Sequence, residues 1–382
     1  MIGSSIAYHV RTGGYAGPVT VIERDPSYRQ ASSFLAMGGI RQQFSSAANI
    51  NLAQYSIRFY ERFDTDLAVP GHQPHAHFRQ RGYLFLVNRT MAEQFERRYV
   101  TQRGLGARIQ RLDNEAIRTR VPDLVLDDIE FGLFGPDDGY ADPREVLSGF
   151  RLAAIAAGAT YRTANVTGLT THGDRVWSVT VDTGARLEAC AIICAAGPFA
   201  AQLAALTDID LPVTPVRQQL FRCVLPRQWP HRFPMVIDPS GVHWRHDDSS
   251  ERQDHDRIVV ACTKLDEPVG ENFSCDMQRW ETDFRPPLVA RVPALEETKM
   301  LEGWAGLYEM TPDHNPVLGE YPKRSGFYVA NGFSGHGLMM APAVGAAIAE
   351  LVTTGESTRL DIGPFDPERF SRGDLFWDDA MI

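Results

Sequence analysis

A helix that opens on Gly3, followed by a β-branched strand that closes on an acid at Glu23, restricts this chain more than any other feature of its sequence. Ile6, Ala7 and Val10 recur at helical spacing and Gly13-Gly14 forms a stop, so residues 3–10 read as a short helix. Residues 19–23 (VTVIE) then read as a buried parallel strand leaving its sheet at Arg24-Asp25-Pro26. Glu23 stands 20 residues after Gly3, the spacing of the third glycine and the ribose acid in a dinucleotide-binding fingerprint. The strand and the two glycines that precede them in such a fingerprint do not occur upstream of Gly3. Either the chain has lost them or an in-frame extension before Met1 carries them. Taken alone, this half of the pattern leaves nucleotide binding undecided.

The remainder of the chain alternates between two structural grammars. Residues 31–44 lack periodicity and read as a loop, residues 47–63 as a helix, 82–87 as a strand and 91–102 as a polar helix. A strand over 129–134 precedes a helix over 143–157 that begins at Pro143 and stops at Gly158. Residues 160–195 form a small meander whose turns are at 172–174 (HGD) and 182–184 (DTG). From 213 to 264 the apolar runs 219–225, 242–245 and 258–263 predict an antiparallel sheet, interrupted by an exposed charged loop over 246–256. The end returns to α/β grammar, with a strand over 326–330, a glycine-rich turn over 331–337 and a helix over 338–352.

These segments predict an α/β fold: a Rossmann-like nucleotide-binding domain with its first strand missing, and an inserted antiparallel-sheet substrate domain. The expected division gives residues 1–80, 138–212 and 300–366 to the first domain, 81–137 and 213–299 to the second, and 367–382 to a tail. A length of 382 residues with 43% hydrophobic content is enough for two such cores. The net charge of -10 argues against nucleic acid and against an anionic membrane surface. The weakly polar stretch 192–206 contains Gly197, Pro198 and Gln202, so no membrane span is expected. Five cysteines without a CxxC pair indicate neither a disulfide framework nor a metal site, and a cytoplasmic, reducing setting is expected. Cys190 and Cys194 fall on one strand face and read as buried, inert thiols.

The turn 331–337 (NGFSGHG) carries the strongest chemical signal. Between a strand and a helix it directs backbone N–H groups and the positive end of a helix dipole at one place, where an anionic or reducible ring could be held. Together with 195–198 (AAGP), 310–313 (MTPD) and 315–319 (NPVLG), in that order, it resembles the glycine oxidase, sarcosine oxidase and D-amino-acid oxidase family of flavoproteins. The likeness runs over nearly the whole chain. Ser32-Ser33, residues 38–44 (GGIRQQF) and Pro364-Phe365 are most similar to its FAD-dependent oxidoreductase-domain-containing branch.

That resemblance implies FAD as cofactor, an amine or amino acid as substrate with a secondary or N-methyl amine favoured, and hydride transfer from the carbon beside nitrogen to flavin N5. It implies O2 or a redox partner as electron acceptor. Carried over by position, Gly3, Glu23 and Arg24 would meet the adenosine and pyrophosphate, Val166 the adenine side, and Ala196 and Gly197 the ribityl chain. Ser32, Ser33, Gly39 and Gly306 would line the cofactor. Gly332, Phe333, Ser334, Gly335, His336, Gly337 and Leu338 would meet the pyrimidine edge of the flavin, where reduction gathers negative charge. Gly306 stands where sarcosine oxidases carry the cysteine that holds flavin covalently, and residues 34–37 (FLAM) lack the histidine other members use, so non-covalent FAD is expected. With the first strand absent, the chain read from Met1 is expected to hold FAD poorly.

Met339 replaces the basic residue that follows this turn in sarcosine oxidases, leaving Arg41 as the nearest cation for a substrate carboxylate. Arg41 is either that ligand or a surface arginine. Tyr308 either walls the substrate pocket or packs in the core, His336 either serves the site or is a solvated loop residue, and Lys264 either faces the flavin or ends a strand in solvent. The resemblance also leaves room for a partner subunit, and for an assembly or binding factor with little turnover.

Overall fold

The computed structural model describes residues 1–226, 229, 232–248, 257–263 and 266–378, and the chain opens as its periodicity predicts. Helix α1 (Ile2–Thr12) buries Ile2, Ile6, Ala7 and Val10, ends at Gly13, and leads to strand β1 (Thr20–Glu23). The presumed loop 31–44 holds a one-turn helix α2 (Ser32–Leu35) and a two-residue strand β2 (Gly39–Ile40). Neither is long enough to leave a periodic signal. Helix α3 (Ala47–Tyr60) is capped by Ser46, whose hydroxyl accepts from the Asn49 N–H at 3.3 Å.

Strands β3 (Tyr83–Asn88), β4 (Gln110–Leu112), β5 (Ile129–Gly135) and β6 (Gly139–Tyr140) come next. Helix α4 (Pro143–Ala156) follows, its first turn capped by the Asp142 carboxylate. The expected meander yields β7 (Thr160–Thr163), β8 (Val166–His172), β9 (Arg175–Val181), β10 (Arg186–Glu188) and β11 (Ile192–Cys194). Beyond it lie β12 (Thr214–Val224), β13 (Met235–Ile237), β14 (Val242–His246), β15 (Arg257–Cys262), β16 (Lys299–Met310), β17 (Val317–Glu320) and β18 (Phe327–Asn331). Helix α5 (Gly337–Thr354) completes the core.

Two parallel pairings, β1 with β7 and β11 with β18, carry the α/β part, and β17 adds antiparallel to β18. The large sheet has eight strands in the order β16-β12-β15-β14-β13-β3-β5-β4. It was expected to be antiparallel and is instead mixed, because β13 runs parallel to β3 with Met235 opposite Tyr83. The reason is connectivity: β3 and β13 meet from segments far apart in sequence, so no hairpin forces them to oppose, whereas β13 to β14 and β14 to β15 are neighbours in chain order and antiparallel. Strand β16 pairs with β12 from Met310 opposite Thr214 to Lys299 opposite Val224, so it straddles the boundary expected at 299/300.

The α1, α3 and α5 helices share one apolar core that includes Ile6, Ile57, Val344 and Ile348, each such side chain contributing about 2 kcal/mol when removed from water. Helix α5 is long and apolar enough to cross a membrane, but most of it is buried inside the protein against α1 and α3.

Two further expectations need correction. Cys190 is exposed, because β11 begins only at Ile192, while Cys194 is buried. The charged stretch 246–256 does not start in solvent. His246, Asp247 and Asp248 are buried, with Asp247 accepting from Arg222 and Asp248 from the Tyr140 hydroxyl at 2.6 Å. Residues 249–256 lie outside the described residues, as does Lys264.

Candidate active site

One cleft, about 140 Å³ in volume, separates the α2–β2 segment, one face of the large sheet and the start of α5. The turn from β18 into α5 forms one wall. Gly335 adopts a φ of 97°, and a Cβ there would approach the Tyr308 ring to 2.7 Å, so only glycine lets the turn lie flat on that ring. The first helical bond of α5 is from the Met340 N–H to the His336 carbonyl at 3.2 Å. The N–H groups of Gly337, Leu338 and Met339 precede that ladder, and all three residues line the cleft.

Arg41 lies directly beside this turn and is 1% exposed, which removes the surface alternative. Its guanidinium donates to the Gln43 carbonyl and to Nε2 of His336 at 3.3 Å, and lies over the Phe44 ring at 4.2 Å. Since an arginine only donates, His336 must present an unprotonated Nε2. Burial, aided by Arg41, pushes the His336 pKa down to about 3. His336 is therefore a neutral buried imidazole, not a solvated loop residue. Tyr308 is half-buried in the cleft wall, and desolvation raises its pKa. The three side chains singled out as catalytic in sequence thus converge.

Comparison with known proteins identifies the family. A family model described as "FAD dependent oxidoreductase" matches residues 1–351. The chain is 32% identical to FAD-dependent oxidoreductase domain-containing protein 1 of Bos taurus, over 98% of this chain and 84% of that protein. The chain belongs to the FAD dependent oxidoreductase family. It is also 25% identical to the mitochondrial dimethylglycine dehydrogenase of Mus musculus, matching 97% of this chain and 43% of that one. Among solved structures, L-proline dehydrogenase from P. horikoshii superposes with a TM-score of 0.88 at 28% identity, covering 98% of this chain and 96% of the other. Glycine oxidase from Geobacillus kaustophilus, at 23% identity and a TM-score of 0.82, shares the fold over 96% of both chains.

Like its family, the chain uses FAD, held non-covalently. The cleft fits such a group on its own terms. Ser32 Oγ and Gln218 Nε2 are buried with no hydrogen-bond partner among the described residues, and both residues line the cleft, so polar atoms there await an occupant. Gly39 and Gly306 keep its walls thin: a Cβ at Gly39 would overlap the Tyr83 hydroxyl, and one at Gly306 would press on Leu35 at 3.2 Å.

Of the expected cofactor residues, Ser32, Ser33, Gly39, Gly306, Phe333, Gly335, His336, Gly337 and Leu338 line the cleft. Gly332 and Ser334 are turned into the fold of the loop, the Gly332 N–H donating to Glu309 at 2.8 Å and the Ser334 hydroxyl facing the Thr311 N–H at 3.4 Å. Gly3 lies against Ala195, where a Cβ would sit 3.5 Å from the alanine methyl. Glu23 accepts from the Asp25 N–H at 2.9 Å, and the Arg24 guanidinium covers the Phe199 ring at 3.7 Å. The Gly197 N–H bonds the Asn331 side chain at 3.0 Å, Ala196 precedes it, and Val166 begins β8, with none of the three on the cleft wall.

Among the cleft residues that escaped the sequence reading are Glu309 and His243. Glu309 is a half-buried carboxylate on β16 whose pKa desolvation pushes up to about 7, against the N–H donors of Gly332 and Phe333. His243 comes from the middle of β14. His243 lies in no motif and Glu309 directly precedes the MTPD run without belonging to it, and the pairing of distant strands brings both to the cleft. The MTPD motif itself proves structural at its acid: Asp313 is fully buried and takes Arg369 in a two-point ion pair at 2.7 and 2.9 Å.

Proposed function

We propose that this chain is a FAD-dependent oxidase or dehydrogenase of amino acids that acts on the CH–NH bond, with a secondary or N-methyl amino acid as substrate and O2 or a redox partner as electron acceptor. The observation that carries the reading is Arg41, a guanidinium buried in the cleft and fixed in orientation by the neutral Nε2 of His336. A dry, oriented guanidinium recognises a carboxylate with two charge-assisted hydrogen bonds. His336 acts through Arg41 and is a positioning residue.

Tyr308 and Phe333 wall the cleft. Ser32 Oγ, Gly306 and the N-terminal turn of α5 would hold the cofactor, the α5 donors at its electron-rich edge. When bound, FAD supplies the acceptor for the hydride from the carbon beside nitrogen. The Rossmann-like character of the α1–β1 region, and the assignment of residues 1–80, 138–212 and 300–366 to cofactor and of 81–137 and 213–299 to substrate, belong to this proposal. The parallel pairings around α1 support it, with β16 shared between the two parts.

The test is anaerobic reduction of the FAD-loaded protein by a panel of amino acids, N-methyl amino acids and the corresponding amines without a carboxylate. Bleaching of the flavin band by N-methyl amino acids well ahead of the amines supports the reading. Equal rates for both, or no reduction by any member, would overturn it.

A further inference from the structure

Strand β14 sends alternate side chains to opposite faces of the large sheet. Val242 and Trp244 pack into the apolar core behind it. His243 and Arg245 therefore point the other way, Arg245 donating to the Met37 carbonyl at 2.8 Å on the cleft rim and His243 lining the cleft. The residue paired with His243 on β15 is Ala261, which also lines the cleft and leaves the space beside the imidazole open.

The tautomer of His243 follows from its one bond. Nδ1 lies 3.1 Å from the Gly241 carbonyl oxygen, which can only accept, so the proton is on Nδ1. Nε2 then carries a lone pair. It has no partner among the described residues, and it is not among the buried atoms left unpaired, so it is open to the cleft. Burial, with a smaller push from Arg41, holds the imidazole pKa down to about 4. With ordinary amines protonating near 10, such a ring is too weak a base to take the proton of a substrate ammonium. It is an acceptor of a hydrogen bond.

We propose that His243 Nε2 receives the N–H of the substrate's nitrogen while Arg41 receives its carboxylate, so that the two side chains together select an amino acid that keeps a hydrogen on nitrogen. This rests on the carboxylate role of Arg41 proposed above. His243 is then a substrate-contacting specificity residue, and it turns the nitrogen in one direction across the cleft. A ligand with oxygen in place of N–H would set two lone pairs against each other.

The experiment uses the FAD-loaded protein and two unreactive ligands of one shape, pyrrole-2-carboxylate and furan-2-carboxylate, with affinities read from the perturbation of the flavin spectrum and from calorimetry. Wild-type protein is expected to prefer the pyrrole by roughly tenfold, the worth of one buried hydrogen bond. His243→Phe and His243→Met should bind both ligands with the same affinity, and His243→Gln, which keeps an acceptor oxygen, should recover part of the preference. Equal affinities in the wild type, or a preference that survives in His243→Phe or His243→Met, would overturn the role of His243. Failure of both ligands to bind the wild type would instead overturn the carboxylate reading of Arg41. FAD content and melting temperature of each variant separate loss of the contact from loss of the fold.

Discussion

Replacing Arg41 by methionine keeps an apolar, unbranched stem and removes the guanidinium. In the structure that group is 1% exposed and held by the His336 ring and the Gln43 carbonyl. Each charge-assisted hydrogen bond to a substrate carboxylate is worth about 1.5–3 kcal/mol, so a two-point contact in this dry setting contributes about 3–5 kcal/mol. The expected loss in kcat/KM for a carboxylate substrate is therefore roughly 10²–10⁴-fold. An amine without a carboxylate has no such contact to lose and should change by only a few-fold. Folding should suffer less, because burial already opposes the charge of Arg41 and lowers its pKa, while two acceptors lose a donor at about 1–3 kcal/mol. The assay is the anaerobic rate of flavin reduction against concentration for a matched pair of substrates. Equal losses for both members of the pair, or a carboxylate substrate that reacts as before, would refute the reasoning.

Three other perturbations test separate parts of the site. Glu309 and Asp138 are both raised to about 7, chiefly by burial, so the folded chain keeps their protons where the unfolded chain has lost them. Stability of the cofactor-free protein should thus fall as pH rises from about 5 to about 8, and Glu309→Gln, measured by denaturant unfolding, should remove a share of that fall on the order of 3 kcal/mol. A rise in stability over that window would contradict the burial of both groups. Gly335→Ala places a methyl group 2.7 Å from the Tyr308 ring at a φ of 97°, which should cost about 1–3 kcal/mol and lower FAD occupancy; unchanged melting and flavin content would mean the turn is not held against Tyr308. Glu23→Ala should weaken FAD affinity, read by flavin fluorescence titration, by roughly tenfold and more than Arg41→Met does, whereas equal affinities would remove Glu23 from the cofactor's contacts.

Legibility in the sequence followed the range of the interactions. Helix α1, strand β1, and the β18 turn into α5 were visible because their apolar spacing and glycines are local. The parallel junction of β3 and β13 was not, since strand direction there depends on how distant segments meet. Helical residues 280–291, with Arg285-Pro286-Pro287 at their centre, left no helical pattern because the turn begins as a π-helix at Trp280–Phe284. Arg41, Tyr308 and His336 were found through turn chemistry and family likeness, but which of them touches substrate depended on a 3.3 Å contact between residues 295 positions apart. His243 has no motif around it and Glu309 only borders one, so their roles become visible when β14 and β16 take their places in the sheet.

The account stands most directly on where the flavin lies, and the electron density of the FAD-loaded protein reads this without an assay. The isoalloxazine ring is expected in the cleft between Ser32, Gly306 and the N-terminal turn of α5, non-covalently held, with Arg41 and His243 on its substrate side. A flavin bound elsewhere, a covalent bond to the chain, or a cleft closed by its own side chains while FAD is bound would contradict the account.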